Sequence, residues 1–451
     1  MYVTRVQIAD IKGFSGNRAV DLELPARGGW TVIAGRNSSG KSTLLQALAL
    51  ALGGPAVARG LVQDFSDWIA NTADSGTVDV HVVGTKGFDS FAGKGNKPKS
   101  GFPLHLQWER PHREAGERQK SLRPVMEAHG DTAEDSANRG PWAENPRGWF
   151  CAGYGPFRRL TGGSSEVRRL MTNQGPAGRM ATLFNEDASL AEGVSWLVDL
   201  RLRSYEENKS EGTSGPLLDM VLRLLKDGLL PDKYQIETVN ADGLWVSKDG
   251  QKKPFPLREM SDGYRTVAAL VLDLVRQIHT VHGPLETLPT PSGGVAVQAP
   301  GVVLIDEVDA HLHVTWQRRI GDWLREHFPN IQFIVTSHSP YICQAADPGG
   351  LIRLPGPDEQ RAPETVDNDL YHRVAYGSGD DAVLSDLFGL ETPYSLRAEE
   401  QRQRLVALER KVYADTASEA ELAEYQELSA RLASSLQTRV AEVSARLGRE
   451  Q

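Results

Sequence analysis

Two hydrophobic periods alternate along the chain. Residues 30–34 (Trp-Thr-Val-Ile-Ala) form a short β-branched run that reads as a buried strand, and Leu44, Leu45, Leu48 and Leu52 then recur at helical spacing. Residues 20–24 and 78–82 alternate apolar and polar side chains, which predicts half-buried strands of an antiparallel lobe, with His81 on the solvent phase. Residues 190–230 read as helical, carrying Trp196, Leu197, Leu200, Leu217, Val221 and Leu224. Val267, Val271, Leu274 and Ile278 mark a further helix, and Pro284, Pro289, Pro291 and Pro300 punctuate the connection after it. Residues 301–307 are an apolar strand ending in two acids; Trp316, Ile320, Trp323 and Leu324 predict an amphipathic helix, and residues 331–335 the next strand. Near the C-terminus, Leu405, Leu408 and Val412 form one stripe. Leu422, Tyr425, Leu428, Leu432, Leu436, Val440, Val443 and Leu447 form a longer one, and the two predict a helical hairpin.

Composition bounds the class. A chain of 451 residues suggests about three units, or one core with large insertions, at roughly 150 residues per domain. The formal net charge of -9 argues against coating nucleic acid by bulk charge, although a local basic patch remains compatible with it. Two cysteines, Cys151 and Cys343, build neither a disulfide framework nor a four-cysteine zinc site. The N-terminus has no apolar signal core, and the densest apolar run, residues 267–275, is broken by Asp273. The expectation is a cytoplasmic protein with no membrane contact.

Chemistry concentrates first at Gly35-Arg36-Asn37-Ser38-Ser39-Gly40-Lys41-Ser42-Thr43, which fills the pattern G-x-x-x-x-G-K-[ST] between a strand and a helix. Gly35 and Gly40 let several backbone N–H groups point at phosphate oxygens, and the following helix presents its positive end to the same anion. Lys41 places a compact charge on the β- and γ-phosphates, and the Ser42 hydroxyl is a hard ligand for Mg²⁺. The motif implies bound ATP. Asp306 and Glu307 end a strand where open α/β sheets bind ligands; the first acid suits Mg²⁺ and the second suits a general base. His338 ends the next strand, in position to donate to a γ-phosphate. Met260-Ser261-Asp262-Gly263-Tyr264-Arg265 opens a helix with a Ser and a Gly, either an ordinary N-cap or a second anion site.

The set of phosphate loop, signature, acid-tipped strand and His switch resembles an ABC-type ATPase of the SMC/RecF/OLD class. Ile8-Ala9-Asp10-Ile11-Lys12-Gly13-Phe14 is similar to that class's opening strand and loop, as are Asn37 and Ser38 within the phosphate loop. The run Asp306-Glu307-Val308-Asp309-Ala310-His311-Leu312-His313 also matches. The resemblance implies an α/β P-loop ABC-ATPase head: a mixed sheet flanked by helices, an antiparallel β lobe, a helical signature subdomain and a C-terminal α-helical hairpin. It also implies a head-to-tail homodimer sandwiching two ATP molecules, with Ser261 and Gly263 facing the nucleotide held by the partner's Lys41. His311 and His313 fall in the segment resembling the D-loop; as bare sequence, His-x-His also reads as a metal pair. The signature carries Ser-Asp-Gly in place of Ser-Gly-Gly, and no Q-loop glutamine is evident. The best positional candidate is residues 150–158, with Arg158 either replacing the glutamine or binding something else. Catalytic roles thus fall to Lys41, Glu307 and His338, nucleotide contacts to residues 35–43, Ser261 and Gly263, and Mg²⁺ to Ser42 and Asp306.

The expected divisions are residues 1–83 for the lobe with the phosphate loop, 84–149 for a basic irregular insertion, and 150–259 for the helical subdomain. The signature, acid strand and His switch occupy 260–377, and the hairpin 378–451. In the insertion, Lys86, Lys94, Lys97 and Lys99 with Phe88 and Phe91 form either a nucleic-acid loop or a solvated one. Residues 155–180 hold Arg158, Arg159, Arg168, Arg169 and Arg179 against Glu166 alone, the place to seek any nucleic-acid contact. The hairpin is either a partner surface or packs on the head. The span after His338 is too short for a Toprim module, so no nuclease site is expected in this chain. The head looks most like PtuA ATPase subunits of Septu antiphage systems, which implies a separate HNH-type nuclease. A RecF-like repair clamp and a transporter ATPase are the alternatives.

Overall fold

The computed structural model describes residues 1–94, 98, 100–110, 125–127, 131–159, 175–207, 212–230, 233–249, 253–390, 392 and 394–432, with only the backbone described over 125–134. The described chain forms two compact units, Met1–Phe388 and Gly389–Gln451.

A six-stranded sheet organises the first unit. Its order is Glu364–Thr365, Leu351–Leu354, Gly29–Gly35, Ile331–Ser337, Gly301–Ile305 and Cys151–Tyr154. All neighbours run parallel except the first pair. Gly301–Ile305, Ile331–Ser337 and Leu351–Leu354 are buried at every residue, because both faces are covered; Gly301–Ile305 accordingly reads as a continuous apolar run, whereas Gln332, Thr336, Ser337 and Arg353 are buried polar residues in the other two. The registers Ser337↔Ala34 and Ile305↔Val335 bring the C-terminal ends of three parallel strands to one edge. Loops leaving that edge converge, which places the site.

A second sheet is antiparallel, in the order Val20–Glu23, Tyr2–Ala9, Ser75–Val83, Phe102–Glu109 and Val125–Glu127. The helix Lys41–Leu61 contacts strands of both sheets. Its Leu44, Leu45, Leu48 and Leu52 share one core with Val6, Ile8, Val78, Val80, Leu104 and Trp108 on one side and Val302, Leu304 and Ile334 on the other. That double burial explains its composition. It is long and apolar enough to cross a bilayer, yet 67% of its most apolar window is buried within the protein. Non-helical backbone at Gly54, ahead of Pro55, breaks the helix. Gln332 closes the sheets together: its amide accepts from Val3 N (2.8 Å) and donates to the carbonyls of Val3 and Pro25 (both 2.9 Å).

The opposite face of the parallel sheet buries Val303, Ile305, Phe333 and Val335 against a second core. That core is completed by helices Ala191–Glu206, Ser214–Lys226 and Asp262–His282 and by a hairpin of Tyr234–Asn240 and Gly243–Lys248. The hairpin was not legible in the sequence. Asp273 interrupts the apolar run of helix Asp262–His282 because it accepts from Tyr154 Oη at 3.0 Å and pairs with Arg276 at 2.7 Å. In the second unit, Leu396–Tyr413 and Glu419–Leu432 form the expected hairpin around buried Leu408 and Leu428, with Arg404 forking onto Glu424. Leu436 to Leu447 lie outside the described residues.

Three sequence expectations need correction. The insertion expected to be irregular contains the strand Phe102–Glu109, whose Phe102, Leu104, Leu106 and Trp108 alternate into the core. Phe91 packs edge-on against Trp149 (5.0 Å between centroids) and Phe88 against His282 (5.5 Å), so neither is a free stacking platform. Lys97 and Lys99 lie outside the described residues. The amphipathic helix expected from Trp316 to Leu324 is two, Val314–Gln317 and Ile320–His327.

His105 and Asp79 are cross-strand neighbours in the antiparallel sheet, and Asp79 Oδ1 lies 2.6 Å from His105 Nδ1. That bond raises the His105 pKa above its ordinary value near 6.5. The pair therefore contributes stability that is complete below the unfolded pKa and is lost as pH rises through the folded one. His105→Gln should destabilise by about 1 kcal/mol or less below pH ~6 and by progressively less above it. A thermal-melting difference that is flat across pH would remove the ionic account.

Candidate nucleotide site

The loop after strand Gly29–Gly35 turns tightly. Ser38 and Gly40 both adopt positive φ (62° and 102°), and helix Lys41–Leu61 starts directly behind them. A Cβ at Gly40 would sit 2.7 Å from the Phe14 ring, so the opening loop packs beneath the phosphate loop and excludes larger residues there. Lys41 is 6% exposed, and its ammonium donates to the carbonyls of Gly35 (2.9 Å) and Arg36 (3.0 Å). Burial lowers its pKa, opposed by the negative charges of Asp306, Glu307 and Asp309. The Ser39 hydroxyl is buried with no hydrogen-bond partner among the described residues, an orphaned group in a cradle built for an anion. Asn37, Ser38 and Ser42 are exposed, and Thr43 is half-buried on the first helical turn.

Arg18, which the sequence did not single out, braces this loop. Its guanidinium donates to Ser39 O (3.3 Å), Pro355 O (3.2 Å), Glu359 O (2.8 Å) and Gly356 O. It ties the phosphate loop to the segment following strand Leu351–Leu354.

Strand Gly301–Ile305 stops one residue before the acids, and Asp306 and Glu307 occupy the turn. Asp306 N donates to Tyr154 O at 2.8 Å. Thr336, on the neighbouring strand, donates its hydroxyl to Asp306 Oδ1 (2.5 Å) while the same oxygen accepts from Glu307 N (2.8 Å). Asp306 is thereby oriented through Oδ1. Glu307 holds a left-handed backbone, φ 44°, uncommon for a side chain of its size. Its pKa is raised by burial first, then by Asp306 and Asp309. Asp309 accepts from Ser337 Oγ (2.5 Å), Ser337 Oγ accepts from Ser339 N (2.9 Å), and Ser339 Oγ donates to Gln317 (2.7 Å). His338 sits within this chain of bonds. Burial, then the charge of Lys41, lowers its pKa, so its imidazole is neutral at physiological pH.

Ser261 is the N-cap residue of helix Asp262–His282, but its side chain makes no capping bond and is exposed. Gly263 approaches the D-loop-like segment of the same chain so closely that a Cβ would lie 2.5 Å from His311 O. His311 is exposed, and His313 caps helix Val314–Gln317 through Thr315 N.

The basic stretch over 155–180 is altered by the structure. Arg158 and Arg179 are 2% and 5% exposed and bond to backbone carbonyls, so neither belongs to a surface patch. Arg158 also cannot serve as a γ-phosphate sensor, since its terminal nitrogens are committed to the carbonyls of Gly155, Asp306, Glu307 and Val308. Burial pushes its pKa down to about 10, which leaves it a cation at neutral pH. Arg168, Arg169 and Glu166 lie outside the described residues.

Residues 30–344 match the model of a family described as "AAA domain, putative AbiEii toxin, Type IV TA system". Among curated proteins, "Septu protein PtuA" of Bacillus mycoides (strain KBAB4) is 24% identical over 364 residues, 80% of this chain and 41% of that one. "Septu protein PtuA" of Bacillus thuringiensis is 30% identical over 172 residues, 36% and 40% of the two chains. "Retron Ec83 probable ATPase" of Escherichia coli is 38% identical over 108 residues, 24% and 18%. The chain thus spans less than half the length of each of these relatives. Among solved structures, the SMC head bound to the C-winged helix domain of ScpA is 16% identical with a TM-score of 0.46, covering 81% of this chain and 98% of that one. The SMC head domain from Thermotoga maritima, also 16% identical, gives 0.43, with 81% and 100% covered. Since the family model spans more than half of the chain and falls on the phosphate loop, acid turn and His338 described above, the chain belongs to this AAA-domain family of ATPases.

Proposed function

We propose that this chain is a Mg²⁺-dependent switch ATPase that works as a head-to-tail homodimer, the regulatory subunit of an antiphage complex with a separate HNH-type nuclease. The observation that carries the hydrolytic part is the single sheet edge where Lys41, Asp306, Glu307 and His338 converge, with Thr336 bonded to both acids. The loop amides of residues 35–41 and Lys41 would hold the triphosphate, and Ser42 and Asp306 the metal. A bound Mg²⁺ would neutralise charge on the β- and γ-phosphates. Glu307, its pKa raised by burial and by the charges of Asp306 and Asp309, would accept the proton of the attacking water, and His338 would donate its ring N–H to the γ-phosphate. The uncapped, exposed Ser261 at a long helix's N-terminus supports the dimeric reading, because its hydroxyl is free for a phosphate held by a second copy. The antiphage role rests on likeness to the Septu proteins, over a stretch shorter than those proteins.

Two outcomes are expected. Glu307→Gln should keep nucleotide binding and lower kcat by on the order of 100-fold or more, accumulating ATP-bound dimers in size-exclusion chromatography. Normal turnover by this variant would show that another group takes the proton. For the composite site, Lys41→Ala and Ser261→Arg should each be inactive alone. Mixing them should restore about a quarter of wild-type turnover, because half of the dimers are then mixed and each has one intact site. If mixing recovers nothing while both variants bind each other, the signature does not act in trans.

A further inference from the structure

The turn bearing the two acids is held from outside on both its donors and its acceptors. Asp306 N donates to Tyr154 O (2.8 Å), Glu307 N to the Thr336 hydroxyl (2.8 Å) and Val308 N to Thr336 O (3.0 Å). The three carbonyls of the same residues all face one side chain. Arg158 Nη1 donates to Asp306 O (3.0 Å) and to Gly155 O (2.8 Å), and Nη2 to Glu307 O (3.1 Å) and Val308 O (3.3 Å). With Arg158 only 2% exposed, water is not available to replace these bonds.

This grip matters because of the backbone it holds. Glu307 sits at φ 44°, a left-handed conformation that is strained for a non-glycine residue and persists only where neighbours over-determine it. A planar guanidinium, with donors in fixed directions, spans three successive carbonyls; an ammonium presents a point charge on a flexible stem. Arg158 lies four residues past Tyr154, the end of strand Cys151–Tyr154, whose residue Tyr154 is the register partner of Ile305. The sheet itself therefore sets where the guanidinium can reach.

We propose that Arg158 is a positioning residue for hydrolysis: by gripping the carbonyls of Asp306, Glu307 and Val308 it fixes the turn that aims the Glu307 carboxylate. The proposal rests on the reading of Glu307 as the general base. It assigns Arg158 no contact with the nucleotide.

The test compares the full-length protein with Arg158→Lys, which keeps the charge and the stem but not the fork, and with Arg158→Gln. The Lys variant should lose about 10- to 100-fold in kcat, the scale of a small misplacement of a catalytic group, with KM and fluorescent-ATP affinity within about threefold of wild type. Added to Glu307→Gln, it should cost nothing further, because a residue that acts only through Glu307 has nothing left to position. Wild-type kcat in Arg158→Lys overturns the proposal, as does a loss that multiplies onto that of Glu307→Gln. Failure of both the Lys and Gln variants to bind nucleotide would also overturn it, making Arg158 a folding brace. Wild-type turnover by Glu307→Gln alone would sink both this proposal and its parent reading, and is visible without any Arg158 variant.

Discussion

One hydroxyl organises the catalytic edge. Thr336 Oγ1 gives its proton to Asp306 and receives one from Glu307 N, so a single oxygen sets the angle of one acid and the backbone of the next. Val would fill the same space, but it would leave a buried amide and a buried carboxylate each without that bond. The arrangement depends on two strands from different parts of the chain lying parallel and in register, Ile305 beside Val335. The sheet is what makes the shared hydroxyl possible, and the shared hydroxyl turns two adjacent acids into groups with different surroundings.

Much of this edge was legible because its chemistry is local in sequence. The phosphate loop needs its glycines and lysine within eight residues, and the acids and His338 each end a strong apolar run. What escaped notice is held by long-range contacts. Arg18 stands out in no local pattern and Arg158 reads as part of a basic stretch or as a substitute for the Q-loop glutamine, yet each disappears into a set of backbone carbonyls. Thr336 stands two residues before His338, but its role needs the neighbouring strand. The Phe102–Glu109 strand carries a clean alternation that glycine- and lysine-rich flanks disguised, and Pro103 and His105 on its outer phase weakened the signal further. Asp273 was read as a break in an apolar run, whereas Tyr154 and Arg276 satisfy it within the core.

Those bonds at Asp273 also join two parts of the head. Tyr154 gives its carbonyl to Asp306 and its hydroxyl to Asp273, on the helix that Ser261 opens. Arg158 then follows within four residues. Strand Cys151–Tyr154 is thus bonded to the acid turn through a carbonyl at its end and to helix Asp262–His282 through a side chain. Displacing the helix along its axis would strain the same short stretch that positions the acids, because packed interiors transmit shifts rather than absorb them.

The order of strands in the parallel sheet bears on how the molecule is born. Strand Gly29–Gly35 has as its two neighbours Ile331–Ser337 and Leu351–Leu354, both made long after it. The Gln332 amide that seals Val3 and Pro25 comes from the same late region. During synthesis the phosphate loop therefore waits on a strand with two open edges until those strands emerge. The phosphate loop, the acid turn and His338 come together only once Ile331–Ser337 has paired with both of its neighbours.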